Sequence, residues 1–200
     1  MAGRADATLG VALEWIEAHC VVPDGEQRGQ QFKLFDEQLR FLAAHYRVRA
    51  DAQVGFLGTA FVYRRSQCVA PQKAGKSPLE AAQVCLEAVG PALFAGWAEP
   101  GDVYDCAEHG CHCGWVYPYE PGEPMGREWP TPLIQITASS QEQTDNIYDA
   151  LRPMIDLGPL SEIVTKTGEE FIRLPGGGRI DAVTSSARSR LGQRVTFVPQ

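Results

Sequence analysis

Apolar positions recur at three- and four-residue intervals in four stretches of this chain, and crowd into shorter runs between them. ATLGVALEWIEAHC (7–20) sets Val11, Trp15 and Ile16 on one helical face. FDEQLRFLAAHY (35–46) does so with Phe35, Leu39, Phe41 and Leu42, and Asp36 and Glu37 sit at the positive end of its dipole. PLEAAQVCLEA (78–88) groups Leu79, Ala82 and Leu86. SSQEQTDNIYDALRPMI (139–155) predicts a fourth helix, with Ser139 or Ser140 as N-cap. The short runs SQCVA (66–70), ALFAGW (92–97), LIQITA (133–138) and RVTFVP (194–199) predict strands, and FIRLP (171–175) and RIDAVT (179–184) predict a hairpin across the glycines 176–178. Strands alternating with helices imply an α/β fold with a mostly parallel sheet. Residues 98–132 break the rhythm with glycine, proline and acidic residues, and read as an insertion between core strands.

Composition narrows this little. Two hundred residues, 44% hydrophobic and 22% charged, suit one globular domain with a real core. MAGRADATLG has no apolar core of a secretory signal, and no apolar run approaches the roughly 20 residues that span a bilayer. The net charge of −7 is uneven, since Glu99–Arg127 holds six acids against Arg127 alone. Such a balance argues against a generally basic nucleic-acid binder and leaves room for a small basic face.

The richest local signal is VAPQKAGKSPLEAAQVCLEAV (69–89), a strand candidate, a loop ending in Gly75-Lys76-Ser77, and a helix. That is the context of a phosphate-binding loop. Backbone N–H groups and the positive end of the helix face the phosphates, a lysine reaches the terminal ones, and a hydroxyl holds Mg²⁺. Gly75, Lys76 and Ser77 supply the close approach, the charge and the metal ligand. Where the standard loop begins with glycine, this one has Ala70, then Pro71. The cost of that departure depends on the φ of Ala70. The alternative is a solvated helix start that happens to read GKS.

QCVAPQKAGKSPLEAAQVCLEA, then PLIQITASSQEQTDNIYDAL, then RIDAVTSSARSRLGQRVTFVPQ resemble, in that order and spacing, the large terminase subunit of tailed bacteriophages. The resemblance implies a P-loop NTPase three-layer sandwich, the N-terminal packaging ATPase of a protein that also carries a C-terminal nuclease. It covers about residue 10 to the end and accounts for Ala70, because the family's loop often lacks the first glycine and carries a basic residue inside. Gln72, with Lys73 beside it, stands at that in-loop position. Residues 72–76 (Gln72, Lys73, Ala74, Gly75 and Lys76) would cradle the β-phosphate, and Lys76 and Ser77 would serve ATP and Mg²⁺. Gln38 matches the family's adenine-contacting glutamine, whose amide can pair N6 and N7; an exposed helical glutamine is the alternative. Ser139, Ser140 and Gln143 follow the second core strand, where helix capping explains the serines. Arg179, Arg188, Arg190 and Arg194 could meet DNA or nucleotide phosphate, or form a solvated basic loop.

The family further implies double-stranded viral DNA, a portal protein and a small terminase subunit as partners, a ring on the portal, and the host cytoplasm as location. Residues 1–60 would form a helical, adenine-side segment of this partial ATPase domain, and 98–132 its insertion. Its Mg²⁺-binding Asp and water-polarising Glu end an apolar strand. RVTFVP is that kind of strand, but only Gln200 follows, and Asp181 lies inside the hairpin candidate. The sheet is therefore expected to be incomplete at its C-terminal end, and the chain to bind nucleotide and hydrolyse it poorly.

Six cysteines divide into scattered Cys20, Cys68 and Cys85, read as buried free thiols, and a cluster in YDCAEHGCHCGW. Cys106, His109, Cys111 and Cys113 offer Zn²⁺ four ligands in a C-x2-H-x-C-x-C spacing. Reduced surface thiols, or one disulfide, are the alternatives. Two rival functions remain: another P-loop enzyme such as a helicase-like NTPase, or a zinc-bearing interaction module without catalysis.

Overall fold

A computed structural model describes residues 4–138, 141–164, 166–168, 171–184 and 194–199. In chain order the elements are β1 (Ala7–Thr8), α1 (Gly10–His19), α2 (Asp36–His45), β2 (Arg47–Val48), α3 (Leu57–Ala60), α4 (Lys76–Val89), β3 (Leu93–Trp97), β4 (Val103–Asp105), β5 (Val116–Pro118), β6 (Pro124–Arg127), β7 (Leu133–Ala138), α5 (Gln141–Asp156), β8 (Lys166–Thr167), β9 (Phe171–Arg173) and β10 (Arg179–Thr184).

The four helices foreseen from periodicity all form. α4 is the centre of the packing, lying against α5, α1 and β7. From Leu79 to Val89 nearly every residue of α4 is buried. Such a helix is held by its neighbours more than by its own propensity. The chain turns out of α4 at Gly90, where a Cβ would come within 2.8 Å of Leu86 and 3.0 Å of Trp15. Only glycine lets α1 approach that closely. On α2 the buried face differs from the expected one. Gln38 and Leu42 are buried while Phe35 and Leu39 are exposed, because α2 turns its glutamine toward the start of α4.

The main sheet has the order β7-β10-β9-β8. β10 runs parallel to β7 along its whole length and antiparallel to β9, which gives the expected hairpin. On the other side of β7, Phe197 bridges Ile134 in parallel, and the N–H groups of Gln135 and Thr137 donate to the carbonyls of Phe197 (3.1 Å) and Pro199 (3.0 Å). RVTFVP thus lies alongside β7 through an isolated parallel bridge, and the foreseen strand is not formed among the described residues. α5 covers this sheet, with the Tyr148 hydroxyl donating to the Ile180 carbonyl at 3.3 Å.

The fold is mixed helix and strand, but a mostly parallel sheet is not what the described residues form. They make one mixed four-stranded sheet and three two-stranded antiparallel ones. The insertion explains much of the difference. β3 pairs with β6, at the end of the insertion, so the strand foreseen at 92–97 forms an antiparallel ladder. The hairpin β4–β5 closes within the insertion itself. The strand foreseen at 66–70 does not form. Those residues have no regular secondary structure and no ladder, and Val69 is 86% exposed. Cys68 is exposed as well, unlike buried Cys20 and Cys85.

Candidate nucleotide and metal sites

The loop before α4 is built on two left-handed residues. Gly75 caps the helix at φ 72°, and Lys73, at φ 63°, is the one non-glycine residue with positive φ among the described residues. Ala70 therefore has an ordinary negative φ. The missing first glycine costs the loop no backbone strain.

Lys76 folds back over the loop, and its ammonium donates to the carbonyls of Ala70 and, at 3.1 Å, Pro71. The cation so spans the mouth of the turn, beside the helix end where unpaired N–H groups favour an anion. Lys76 and the residues Gln72, Lys73 and Ala74 are exposed, and Ser77 is half-buried in the first turn of α4.

Gln38 reaches this loop from α2. Its Oε1 accepts from the N–H of Phe35 at 3.0 Å, capping α2, and its Nε2 donates to the Gly75 carbonyl at 3.4 Å. An exposed helical glutamine is excluded, since Gln38 is only 7% exposed. One lone pair and one N–H of the amide stay uncommitted, the pair that a purine edge would need.

Other sequence candidates lie elsewhere. Arg179 pairs with Asp181 at 3.0 Å on β10, so that arginine is committed within the sheet. Asp181 is buried inside β10, not at a strand end. Arg194 is exposed. Ser139, Ser140, Arg188, Arg190 and Gln200, and the side chain of Gln143, fall outside the described residues.

In its last turn, far from the loop, α4 carries a buried carboxyl. Glu87 accepts from the Tyr46 hydroxyl at 2.7 Å and from Trp129 Nε1 at 2.9 Å, and Gln83 Nε2 approaches the same hydroxyl at 3.4 Å. Burial outweighs those donors and pushes the Glu87 carboxyl up to about 7. No pattern along the sequence marks this residue, because its partners come from α2 and from the end of the insertion.

The insertion holds the second site. A 3₁₀ turn over Cys106–His109 is capped by the Asp105 carboxylate on Ala107 N–H (2.9 Å) and closed by Gly110 at φ 82°. The turn brings Cys111 back so that its N–H donates to the Cys106 carbonyl at 3.1 Å. His112 N–H is held by Glu162 at 3.0 Å, from the segment after α5. Three of the four foreseen ligands, Cys106, Cys111 and Cys113, converge. The fourth member is His19 of α1, and the four donor atoms lie within 4.8 Å of one another. His109 is placed elsewhere, at 3.0 Å from Glu128 and stacked on Tyr104, and the Glu128 hydrogen bond raises its pKa.

His19 is fully buried, with its ring stacked on Trp15 and edge-on to Trp115. Burial lowers its pKa, which keeps the imidazole neutral. Sequence spacing within the cluster could not reveal it. The available signal was its position three and four residues after Ile16 and Trp15, on the apolar face of α1.

A cleft of about 370 Å³ opens at the far end of α4, lined by Val89, His109, Glu128, Trp129 and Pro130 among others. It stands about 20 Å along the helix axis from the loop.

The fold is similar to that of a bacteriophage large terminase. The crystal structure of the HK97 bacteriophage large terminase matches with a TM-score of 0.59 over 96% of this chain and 30% of that one, at 20% identity. Among curated proteins, Gene 13 protein of Mycobacterium phage D29 is 27% identical over 212 residues, covering 96% of this chain and 31% of the relative. Gene 13 protein of Mycobacterium phage L5 is 29% identical over 165 residues, 82% of this chain and 23% of the relative. No family model matches the sequence. The chain spans less than a third of each of these three proteins. No helix among the described residues is long and apolar enough to cross a membrane.

Proposed function

We propose that this chain is the ATP-binding part of a phage DNA-packaging motor of the large-terminase type. The observation that carries the reading is the turn before α4, where left-handed Gly75 ends a loop spanned by the Lys76 ammonium. Lys76 would exchange its two carbonyl contacts for the β- and γ-phosphates. Ser77 would ligate Mg²⁺ together with phosphate oxygens, and the backbone of 72–76 would wrap the β-phosphate. Gln38 would offer its free lone pair and N–H to adenine. The terminase-like fold supports translocation of double-stranded DNA as the work of the whole protein, with a portal ring and a small subunit as partners in the host cytoplasm.

Melting with and without ATP and Mg²⁺ tests this. At a nucleotide concentration of 100 times Kd the wild type gains about 2.7 kcal/mol, or roughly 5–11 °C in Tm. Lys76→Ala removes that gain and leaves the nucleotide-free Tm unchanged. Equal melting with and without nucleotide would favour a non-enzymatic zinc-bearing module, a reading that the cysteine cluster supports. Turnover by the 200-residue chain is expected to be slow, because no apolar strand in the sequence ends in an Asp-Glu pair. Fast hydrolysis abolished by Lys76→Ala would overturn that expectation.

A further inference from the structure

We infer that His19, Cys106, Cys111 and Cys113 form a closed structural Zn²⁺ centre that staples the insertion to α1. The donor set is three thiols and one imidazole, the chemistry of four-coordinate structural zinc. A tetrahedron with Zn–S near 2.3 Å and Zn–N near 2.0 Å sets its ligand atoms about 3.5–3.8 Å apart. The four atoms here, none more than 4.8 Å from another, need only small side-chain shifts to meet that.

The tautomer of His19 is set for the task. Its Nδ1 lies 2.9 Å from the Trp15 carbonyl, which can only accept, so Nδ1 carries the proton. Nε2 then directs its lone pair at the cluster, 2.9 Å from Cys106 Sγ and 3.4 Å from Cys113 Sγ. A backbone carbonyl orienting the far nitrogen is the usual support of a zinc-bound histidine. His109 lacks that arrangement, being turned to Glu128. A disulfide would use two of the sulfurs and leave the third thiol and the buried imidazole without a role.

The centre would join residues 87 positions apart, across a segment that contains the phosphate loop and all of α4. The insertion needs such a tie. Its own hairpin has three residues in each strand, and its interior is mostly the aromatic rings of Tyr104, Trp115, Tyr117 and Tyr119. A fourth protein ligand leaves no open position for water or substrate, so the metal folds the protein and does not catalyse.

The test is metal analysis of the 200-residue chain, purified without a polyhistidine tag in reducing buffer, with intact-mass measurement alongside. About one equivalent of zinc is expected, and Co²⁺ substitution should give the absorption of a tetrahedral thiolate site. His109→Ala should keep the metal. His19→Ala should weaken it at least about tenfold against a competing chelator, and His19→Cys, which restores a fourth ligand, should recover it. The proposal is overturned by less than about a tenth of an equivalent of zinc in the wild type. A Cys–Cys disulfide in the mass of the reduced wild type, or loss of metal in His109→Ala with retention in His19→Ala, would equally overturn it. None of these readouts depends on nucleotide binding.

Discussion

The Gly75-Lys76-Ser77 loop and the cysteine cluster are both short motifs with dense chemistry, and the molecule treats them in opposite ways. The loop lies exposed, its lysine is satisfied by the loop's own carbonyls, and one glutamine from α2 reaches Gly75. The cluster is mostly buried, and one of its four donors comes from 87 residues upstream. Under the proposed function the loop admits and releases a polyanion, and it keeps its groups at the surface and self-satisfied. A site that only has to stay closed can draw on any part of the fold. α4 links the two, with the loop at its first turn and, further along, Glu87 bonded to Trp129 at the close of the insertion.

Glu87 offers the largest test of that link. Its carboxyl titrates near 7 when folded, against an unfolded value of 4.5. A raised carboxyl pKa means that the folded state holds its proton more tightly. The stabilising contribution is complete below about 4.5 and is lost as pH rises through about 7. The span is worth roughly 3 kcal/mol. Glu87→Gln removes the titration, while Tyr46 and Trp129 keep a hydrogen-bonding partner. The variant should therefore gain on the wild type by about that amount between pH 4.5 and 8 in urea melts. Parallel pH profiles for the two proteins would show that the carboxyl is not desolvated, and that the insertion does not seal this face of α4.

Gly75→Ala probes the loop end of the same helix. At φ 72° an alanine costs about 1–2 kcal/mol, and its Cβ would lie 3.2 Å from Gln38 Nε2. A Tm lowered by roughly 2–8 °C is expected, with weaker nucleotide binding as Gln38 is displaced. Gly75→Asn should recover part of the loss, because asparagine enters the left-handed region more easily. Full wild-type stability in Gly75→Ala would mean that the loop relaxes freely, and that its tie to α2 carries no weight.

Local physics made much of this legible. The buried face of α1 follows from residues three and four apart, and the β9–β10 hairpin follows from three glycines between two strand-like runs, whereas α4 is buried nearly all round and not on the one face foreseen. The start of α4 was legible because Gly75, Lys76 and Ser77 are adjacent in sequence. What stayed hidden depends on partners distant along the chain. The run 66–70 has strand composition but no ladder neighbour, and composition alone cannot supply one. β3 is a correctly foreseen strand whose antiparallel partner, β6, lies beyond a hairpin. His109 was the nearer histidine in sequence, yet Glu128 and the Tyr104 ring claim it, leaving the thiols to His19. Glu87 carries no mark in the sequence, because Tyr46 and Trp129, which close over it, lie 41 and 42 residues away.

The smallest expected effect concerns the residue whose oddity was plainest in the sequence. Ala70 occupies the place of the usual first glycine, so Ala70→Gly reads as a repair. The backbone argues otherwise. Positive φ falls at Lys73 and Gly75, and Ala70 already adopts a conformation open to any residue. Its carbonyl, which holds Lys76, is a backbone group that the substitution leaves in place. What glycine adds is freedom in the unfolded chain, worth about 0.4–1 kcal/mol against the folded state and less at an exposed loop. Ala70→Gly should therefore leave nucleotide affinity within about twofold of wild type and lower Tm by no more than roughly 1–4 °C. A clear gain in affinity would show that the side chain of Ala70 obstructs the phosphates, and that the loop is a damaged site and not a working variant.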